Sequence, residues 1–298
     1  MIELHHGRAF VNGVSLHYVE AGAGALVVLL HGFPDFWYSW RFQLPALAAA
    51  GFRALAPDLR GYNLSDKPAG IDQYRLDRLA QDIVGLIRMV GAQRATLVGH
   101  DWGGVVAWKV AHDAPEAVTH LVILNAPHPA SFRQALRTFS QVRRSWYLFF
   151  FQLPWLPEAV IRAWDYAIVR RVLRGASDRQ ATSSADDLQA YTTALSQPGA
   201  LTAALNYYRA AFRSFWREPM QVTSPITVPT LVIWGERDPY LGLRLLKNLD
   251  RWVPDLRIQR IPDAGHWVHI QAREKVTPLI IEFLTQGNPA ERIPRPGG

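Results

Sequence analysis

The chain has 298 residues, 49% hydrophobic and 19% charged, with 32 basic against 25 acidic side chains, no cysteine and a formal net charge of +7. This is the balance of an ordinary globular protein with chain enough for a substantial core. The missing cysteines exclude disulfides, thiolate chemistry and zinc sites of the Cys type. The positive charges are mostly arginine and are scattered: Arg143-Arg144, Arg170-Arg171 and Arg213–Arg217 stand among aromatics and acids. A solvated surface is therefore expected, and no nucleic-acid partner. The longest oily run, Trp146 to Phe151, is followed by Pro154 and Pro157 and falls far short of the ~20 residues that span a bilayer. No membrane partner is expected. Met1 to Arg8 lacks the basic, apolar and small-residue progression of a signal peptide, which makes the cytoplasm the expected compartment.

Short β-rich runs alternate with helical patterns along most of the chain. Strands are predicted at Arg8–Val11, Ser15–Glu20, Ala25–Leu30, Arg53–Ala56, Ala95–Val98, Leu121–Leu124, Thr230–Trp234 and Arg257–Arg260, with Asn12-Gly13 as a hairpin turn. Helices are predicted at Leu76–Val90 and at Gly104–Ala114, the latter stopped near Pro115. The alternation favours an α/β fold built on a parallel sheet. After Ala126-Pro127-His128-Pro129 it stops, and from about 130 to 218 the pattern is helical and rich in Trp, Tyr, Phe and Arg. Thr227-Val228-Pro229-Thr230-Leu231 resumes the sheet. Residues 1–129 and 219–298 thus read as a core and 130–218 as a helical lid over the carboxyl ends of the strands, where such sheets bind ligands. A loose tail is expected from Gly287 to Gly298.

Gly99-His100-Asp101-Trp102-Gly103 lies between the Ala95–Val98 strand and the helix that begins at Gly104. This is a strand–turn–helix elbow, whose strained turn lifts one side chain above the sheet. A serine there would serve acyl transfer. Asp101 is instead already ionised at neutral pH and needs no base to attack. Attack on an alkyl carbon leaves an ester that water can cleave, whereas a serine would leave an ether. The order nucleophile, acid, histidine places the base after the last strand, at His266 in Pro262-Asp263-Ala264-Gly265-His266-Trp267. The acid is sought after either of two strands. No Asp or Glu follows Leu121–Leu124 before Glu158, whereas Gly235-Glu236-Arg237-Asp238-Pro239 follows Thr230–Trp234. Asp238 is favoured over Glu236 because its loop position lies deeper towards the site. The oxyanion donors are the backbone N–H groups of Trp102 and of Phe33 in His31-Gly32-Phe33-Pro34. His31 and His100 are expected to brace backbone, His269 to be structural, and Arg60 and Asp66 to tie a loop together. An epoxide opened here needs a proton for its alkoxide, and phenols suit that task. Tyr147, Tyr166, Tyr191, Tyr207 and Tyr208 all stand in the helical segment, and residue chemistry does not choose among them.

These motifs together resemble the epoxide hydrolases of the α/β-hydrolase superfamily, in the branch like the soluble enzymes, over residues 8 to 285. The resemblance is carried by His31-Gly32-Phe33-Pro34-Asp35-Phe36-Trp37, Asp58-Leu59-Arg60-Gly61-Tyr62, Gly99-His100-Asp101-Trp102-Gly103-Gly104, Gly265-His266-Trp267, and in the lid by Phe150-Phe151-Gln152-Leu153-Pro154 and Ser196-Gln197-Pro198-Gly199-Ala200. It implies a mostly parallel eight-stranded sheet with an inserted cap, an apolar epoxide and water as reactants, and no cofactor or metal. It also implies two lid tyrosines as ring-opening acids, which fall on Tyr208 in Asn206-Tyr207-Tyr208-Arg209 and on Tyr147, five residues before Gln152. Asn63 stands where the family often has Gly, and Asn tolerates the same left-handed backbone.

The expected reaction converts an epoxide to a vicinal diol through an ester on Asp101. Trp37, Phe150, Phe151 and Trp267 are expected to line an apolar pocket with Phe33 and Trp102. A haloalkane dehalogenase is the nearest alternative, disfavoured by Phe33 where an Asn would often follow His-Gly. A catalytically silent binding protein on the same fold is the alternative of a different class. Monomer and homodimer are both open.

Overall fold

Alternation of side chains along the strands sorts the sheet's apolar residues onto two faces, and helices cover both. The structure is a computed structural model that describes residues 2–175, 184–217 and 225–286. Its eight strands are β1 (His5–Val11), β2 (Val14–Ala21), β3 (Ala25–Leu30), β4 (Phe52–Pro57), β5 (Ala95–His100), β6 (Val118–Leu124), β7 (Thr230–Gly235) and β8 (Leu256–Ile261), in the spatial order β1-β2-β4-β3-β5-β6-β7-β8. All eight predicted strands are present, most of them longer than expected by a few residues. The β1–β2 hairpin turns on Asn12 and Gly13, both with positive φ, as an Asn-Gly turn requires. β1–β2 and β2–β4 are antiparallel and every other pairing is parallel.

The strands nearest the centre are buried on both faces, which is why they read as unbroken Val/Leu/Ile runs. On one face Val28, Leu30, Leu97 and Ile123 pack with Leu79, Ile83, Leu86, Val106 and Val110, from α2 (Leu76–Met89) and α3 (Trp102–Asp113). On the other, Val27, Leu29, Val98 and Val122 pack with Leu44, Leu47, Val276 and Ile280, from α1 (Gln43–Ala49) and from the last helix. Between β6 and β7 lie α4 (Pro129–Ala135), α5 (Phe139–Arg144), α6 (Trp146–Phe150), α7 (Leu156–Gly175), α8 (Ala185–Ser196) and α9 (Ala200–Arg217); α10 (Val268–Gln271) and α11 (Arg273–Gln286) follow β8.

The helical insertion has its own core, and that core is closed from below by the loops that follow the strands. Phe151, Ile161, Tyr191, Leu205 and Tyr208 pack there with Phe36, Trp267 and Ile270. α9 serves both sides: Leu205 and Tyr208 face that core, while Ala203, Tyr207 and Ala210 face the helices of the main body. α7 is broken at Ala163–Tyr166, where Trp164, Asp165 and Tyr166 turn left-handed. The 218/219 boundary and the tail from Gly287 lie outside the described residues.

Candidate active site

Asp101 is held between the end of β5 and the first residue of α3, at φ 50 and ψ −121. Such backbone is strained for a residue with a Cβ, by about 1–3 kcal/mol, and the surroundings over-determine it. The Asp101 N–H donates to the carbonyl of Leu124 at 3.3 Å, and its own carbonyl accepts from Val105 at 3.0 Å. Two glycines make the elbow possible. A Cβ on Gly103 would collide with the carbonyls of Leu30 and His31, and one on Gly32 with the Asp101 side chain itself. The loop after β3 therefore reaches the carboxylate directly, and the Phe33 N–H donates to Asp101 Oδ1 at 2.9 Å. Trp102 opens α3, where the first N–H groups have no partner within the helix.

Asp101 Oδ2 lies 3.5 Å from His266 Nε2, and His266 Nδ1 donates to Asp238 Oδ2 at 2.7 Å. Asp238 is 2% exposed. Its Oδ1 accepts from the N–H groups of Tyr240 and Leu241 at 2.7 and 2.9 Å, and its Oδ2 also accepts from Asn125 Nδ2 at 2.7 Å. Glu236 points elsewhere and pairs with Arg260 at 2.8 Å. Burial disfavours the imidazolium of His266, but Asp238 and Asp101 outweigh it and push the pKa up to about 10. Burial likewise works against the charge on Asp101, and His266, His100 and the Phe33 N–H overcome it, holding that carboxyl below its ordinary range. At neutral pH the resting site is an imidazolium between two carboxylates.

The loop histidines do brace backbone. His100 Nε2 donates to the His266 carbonyl at 3.0 Å, and its Nδ1 lies 3.3 Å from Asp35, which also takes the indole N–H of Trp267 at 3.1 and 3.2 Å. His31 Nε2 accepts the Leu59 N–H at 3.0 Å, so Nδ1 carries the proton that goes to the Gly32 carbonyl at 2.9 Å. His269 is fully buried between Trp40 and His100. Asp35, His100 and His269 are the one trio of side chains close enough to share a cation among the described residues. Two of the three are already engaged with Trp267 and His266.

Geometry separates the five tyrosines. The Tyr207 hydroxyl donates to the Arg60 carbonyl at 2.7 Å, Tyr166 reaches Leu195, and Tyr191 packs against Phe36 and Tyr38. Tyr147 and Tyr208 meet edge to face at 5.9 Å and line one cavity with Asp101 and Trp102; Tyr207 borders the same cavity, but its hydroxyl is committed to Arg60. Tyr208 also packs edge-on against Trp102 at 5.0 Å and Phe33 at 5.7 Å. Burial, reinforced by the charge on Asp101, pushes both phenols well above their ordinary pKa. They are donors, held protonated. Arg209 fixes their spacing: its guanidinium pairs with both oxygens of Glu158 at 2.7 and 3.0 Å and donates to the carbonyls of Phe151 and Leu153. That clamp joins the helix of Tyr208 to the turn after the helix of Tyr147.

The cavity measures about 890 Å³, and its lining includes Asp101, Phe132, Arg133, Arg137, Leu148 and Phe149. Of the aromatic set expected at the substrate, Trp102 lines the cavity, whereas Phe33, Trp37, Phe150, Phe151 and Trp267 are not among its lining residues. Phe151 backs Tyr147 and Tyr208, Phe150 leans on Trp146, Trp37 packs on His6 and Phe36, and Trp267 is spent on Asp35. Aromatic richness near a motif does not say which way a ring points. Arg60 and Asp66 both tie their loop to the β1–β2 hairpin: Arg60 donates to the Asn12 carbonyl at 3.1 Å while pairing with Asp82 at 2.7 Å, and Asp66 accepts from the Ser15 N–H at 2.8 Å. Asn63 does take positive φ.

Three supporting residues carry no assigned role in the sequence reading. Asn125 occupies the loop after β6, the alternative place for the acid, with φ 40, and bonds both Asp238 and Gly235. Its position was the available signal. The Glu158–Arg209 pair had none, because its partners are far apart in the chain.

The alpha/beta hydrolase fold family matches residues 25–272. A Bacillus subtilis protein described as AB hydrolase superfamily protein YfhM is 44% identical over 276 residues, covering 92% of this chain and 95% of that protein. Epoxide hydrolase 3 of Xenopus tropicalis is 38% identical over 283 residues, covering 92% of this chain and 76% of its own length. The crystal structure of Bacillus megaterium epoxide hydrolase in complex with an inhibitor superposes with a TM-score of 0.88 at 33% identity, covering 94% of this chain and 100% of that one. With an eight-stranded, mostly parallel sheet, a carboxylate at the elbow and these relatives along nearly its whole length, the chain belongs to the α/β-hydrolase fold family and, within it, to the epoxide hydrolases.

Proposed function

We propose that the protein hydrolyses apolar epoxides to vicinal diols through a covalent ester on Asp101. The observation that carries this reading is the placement of Asp101 and two protonated phenols, Tyr147 and Tyr208, on one cavity. Tyr147 and Tyr208 bind the oxirane oxygen. Asp101 Oδ2 attacks a ring carbon from the opposite side, the carbon–oxygen bond breaks, and the alkoxide takes a phenolic proton. The division into a core (1–129 and 219–298) and a cap (130–218) belongs to the same reading, since the cap supplies the phenols.

Esterification removes the charge on Asp101, one of the two carboxylates that keep His266 protonated. The histidine pKa then falls. His266 gives up its proton, which restores the phenol, and becomes a base at the moment a base is needed. Neutral His266, oriented by Asp238, deprotonates a water that attacks the ester carbon. The N–H groups of Phe33 and Trp102 hold the oxyanion, consistent with Phe33 already donating to Oδ1. Collapse releases the diol and returns Asp101 to a carboxylate and His266 to an imidazolium, so the protons balance over the cycle.

The sign of the pH dependence follows. Alkylation needs ionised Asp101, whose depressed pKa keeps it available well into mild acid. Ester breakdown needs neutral His266 and so rises with pH until that group has titrated. Incubating the protein with styrene oxide and with a bromoalkane of similar size tests the class: diol from the epoxide without bromide release supports the reading. Bromide release without diol would move the chain to the dehalogenase alternative, and binding without turnover or adduct would favour a silent binder.

A further inference from the structure

Large apolar side chains lie in solvent along one stretch of the helical insertion. Among the described residues, eight of the thirteen exposed ones fall between Phe139 and Ile168, including Trp146, Trp155 and Trp164. Trp155 and Trp164 are 77% and 86% exposed, and both hold left-handed backbone, with φ of 48 and 49. That conformation is unfavourable for a residue with a Cβ. These flank the first segment of α7, about 13.5 Å apart at helical rise, and at each end the chain is bent so that an indole points outward.

The same stretch is basic. Residues 130–175 contain eight arginines, no lysine and two acids. Both acids are taken, Glu158 by Arg209 and Asp165 by Arg170. Arg137, Arg143, Arg162 and Arg171 are exposed and have no carboxylate partner among the described residues. The exposed stretch also reaches the cavity. Phe149 is 52% exposed and lines the cavity. Its ring meets Phe212, which borders a cleft together with Trp155 and Arg213.

We propose that this face docks peripherally on an anionic lipid surface, with the tryptophans at the level of the head groups and the arginines paired with them. Tryptophan favours that boundary, arginine can bury its stem while keeping its head in the polar layer, and anionic head groups attract basic side chains. A second copy of the chain fits less well, because it would bring the same arginine-rich, acid-poor face against itself and like charges would meet. No helix among the described residues is long and apolar enough to cross a membrane, so the contact is docking and not insertion, and it departs from the sequence expectation of no membrane partner. It takes its use from the proposed epoxide chemistry, since apolar epoxides concentrate in the acyl layer.

The test reads binding alone, so it stands or falls separately from the reaction. The full chain is sedimented with sucrose-loaded vesicles of phosphatidylcholine, with and without phosphatidylserine. The chain is expected on the phosphatidylserine vesicles, less so as salt rises. Trp155→Ala with Trp164→Ala, and separately Arg143→Glu with Arg162→Glu, should each lower partition at least ~10-fold, given roughly fivefold per arginine. Both variants should melt at the wild-type temperature, since these side chains lie in solvent. No sedimentation with phosphatidylserine vesicles, or unchanged partition of the correctly folded arginine variant, overturns the proposal. So does a wild-type dimer in sedimentation velocity that the tryptophan variant dissociates, because the face would then belong to a second copy.

Discussion

The groups that the sheet contributes to the site are ionic and bonded on nearly every side, whereas those of the helical insertion are neutral, aromatic and poor in hydrogen bonds. Asp238 accepts four, from His266, Asn125, Tyr240 and Leu241. Tyr147 and Tyr208 are positioned mainly by ring contacts with Phe151 and with each other, and the Tyr208 oxygen accepts from the Trp102 indole, which leaves its O–H free. The difference matches the proposed division of labour. Covalent chemistry at Asp101 needs a nucleophile and base fixed relative to each other, so they sit at strand ends tied by backbone. Binding an oxirane needs hydroxyls whose hydrogen bonds are not already spent, so they sit on packed helices.

Replacing a group on the sheet side should cost most. Asp101→Asn removes the nucleophile and is expected to lower turnover at least ~10⁴-fold, with no adduct in the intact mass. In the same variant His266 loses one of the two carboxylates that raise its pKa, so its imidazolium should titrate at lower pH than in the native protein. Histidine NMR titration reads this directly, and an unchanged value would remove Asp101 from control of the base. His266→Gln should leave the first alkylation within about tenfold and slow ester breakdown by ~10³-fold or more. A substrate-sized mass should then accumulate on the protein; turnover without it would break the two-step division.

Changes on the insertion side should act on ring opening alone. Tyr208→Phe and Tyr147→Phe are each expected to slow single-turnover alkylation by roughly 10²-fold, with the breakdown of a preformed ester unaffected. Equal slowing of both steps would erase the contrast between the two regions. The smallest effect on activity is expected from Glu158→Gln, which leaves Arg209 without its buried partner. Stability should drop by about 3 kcal/mol in urea unfolding, and alkylation should fall less than tenfold as the two phenols lose their fixed spacing.

The same contrast explains what could be read from the chain beforehand. Strand runs, the Asn12-Gly13 turn and the Gly99–Gly104 elbow are local patterns, each written within a few residues, and all are found where expected. His266 and Asp238 follow from strand order, because a parallel sheet gathers its loops at one end. The insertion is less legible. Helical periodicity says that Tyr147, Tyr166, Tyr191, Tyr207 and Tyr208 are all in helices, but only tertiary packing turns two of them towards Asp101. For the same reason Trp37, Phe150, Phe151 and Trp267 were expected at a cavity that Phe132, Leu148 and Phe149 line instead. Arg60 ties its loop down as expected, but its partner across the core, Asp82 on the buried side of α2, leaves no local signal.

A single turnover in oxygen-18 water, with enzyme in excess over epoxide, addresses the ester most directly. Water attacking the Asp101 ester carbon leaves its oxygen on the carboxylate, so the first diol should be unlabelled and the peptide containing Asp101 heavier by one isotopic oxygen. Label in that first diol, with none in the peptide, would mean that water attacks the ring itself, and the covalent account would be wrong.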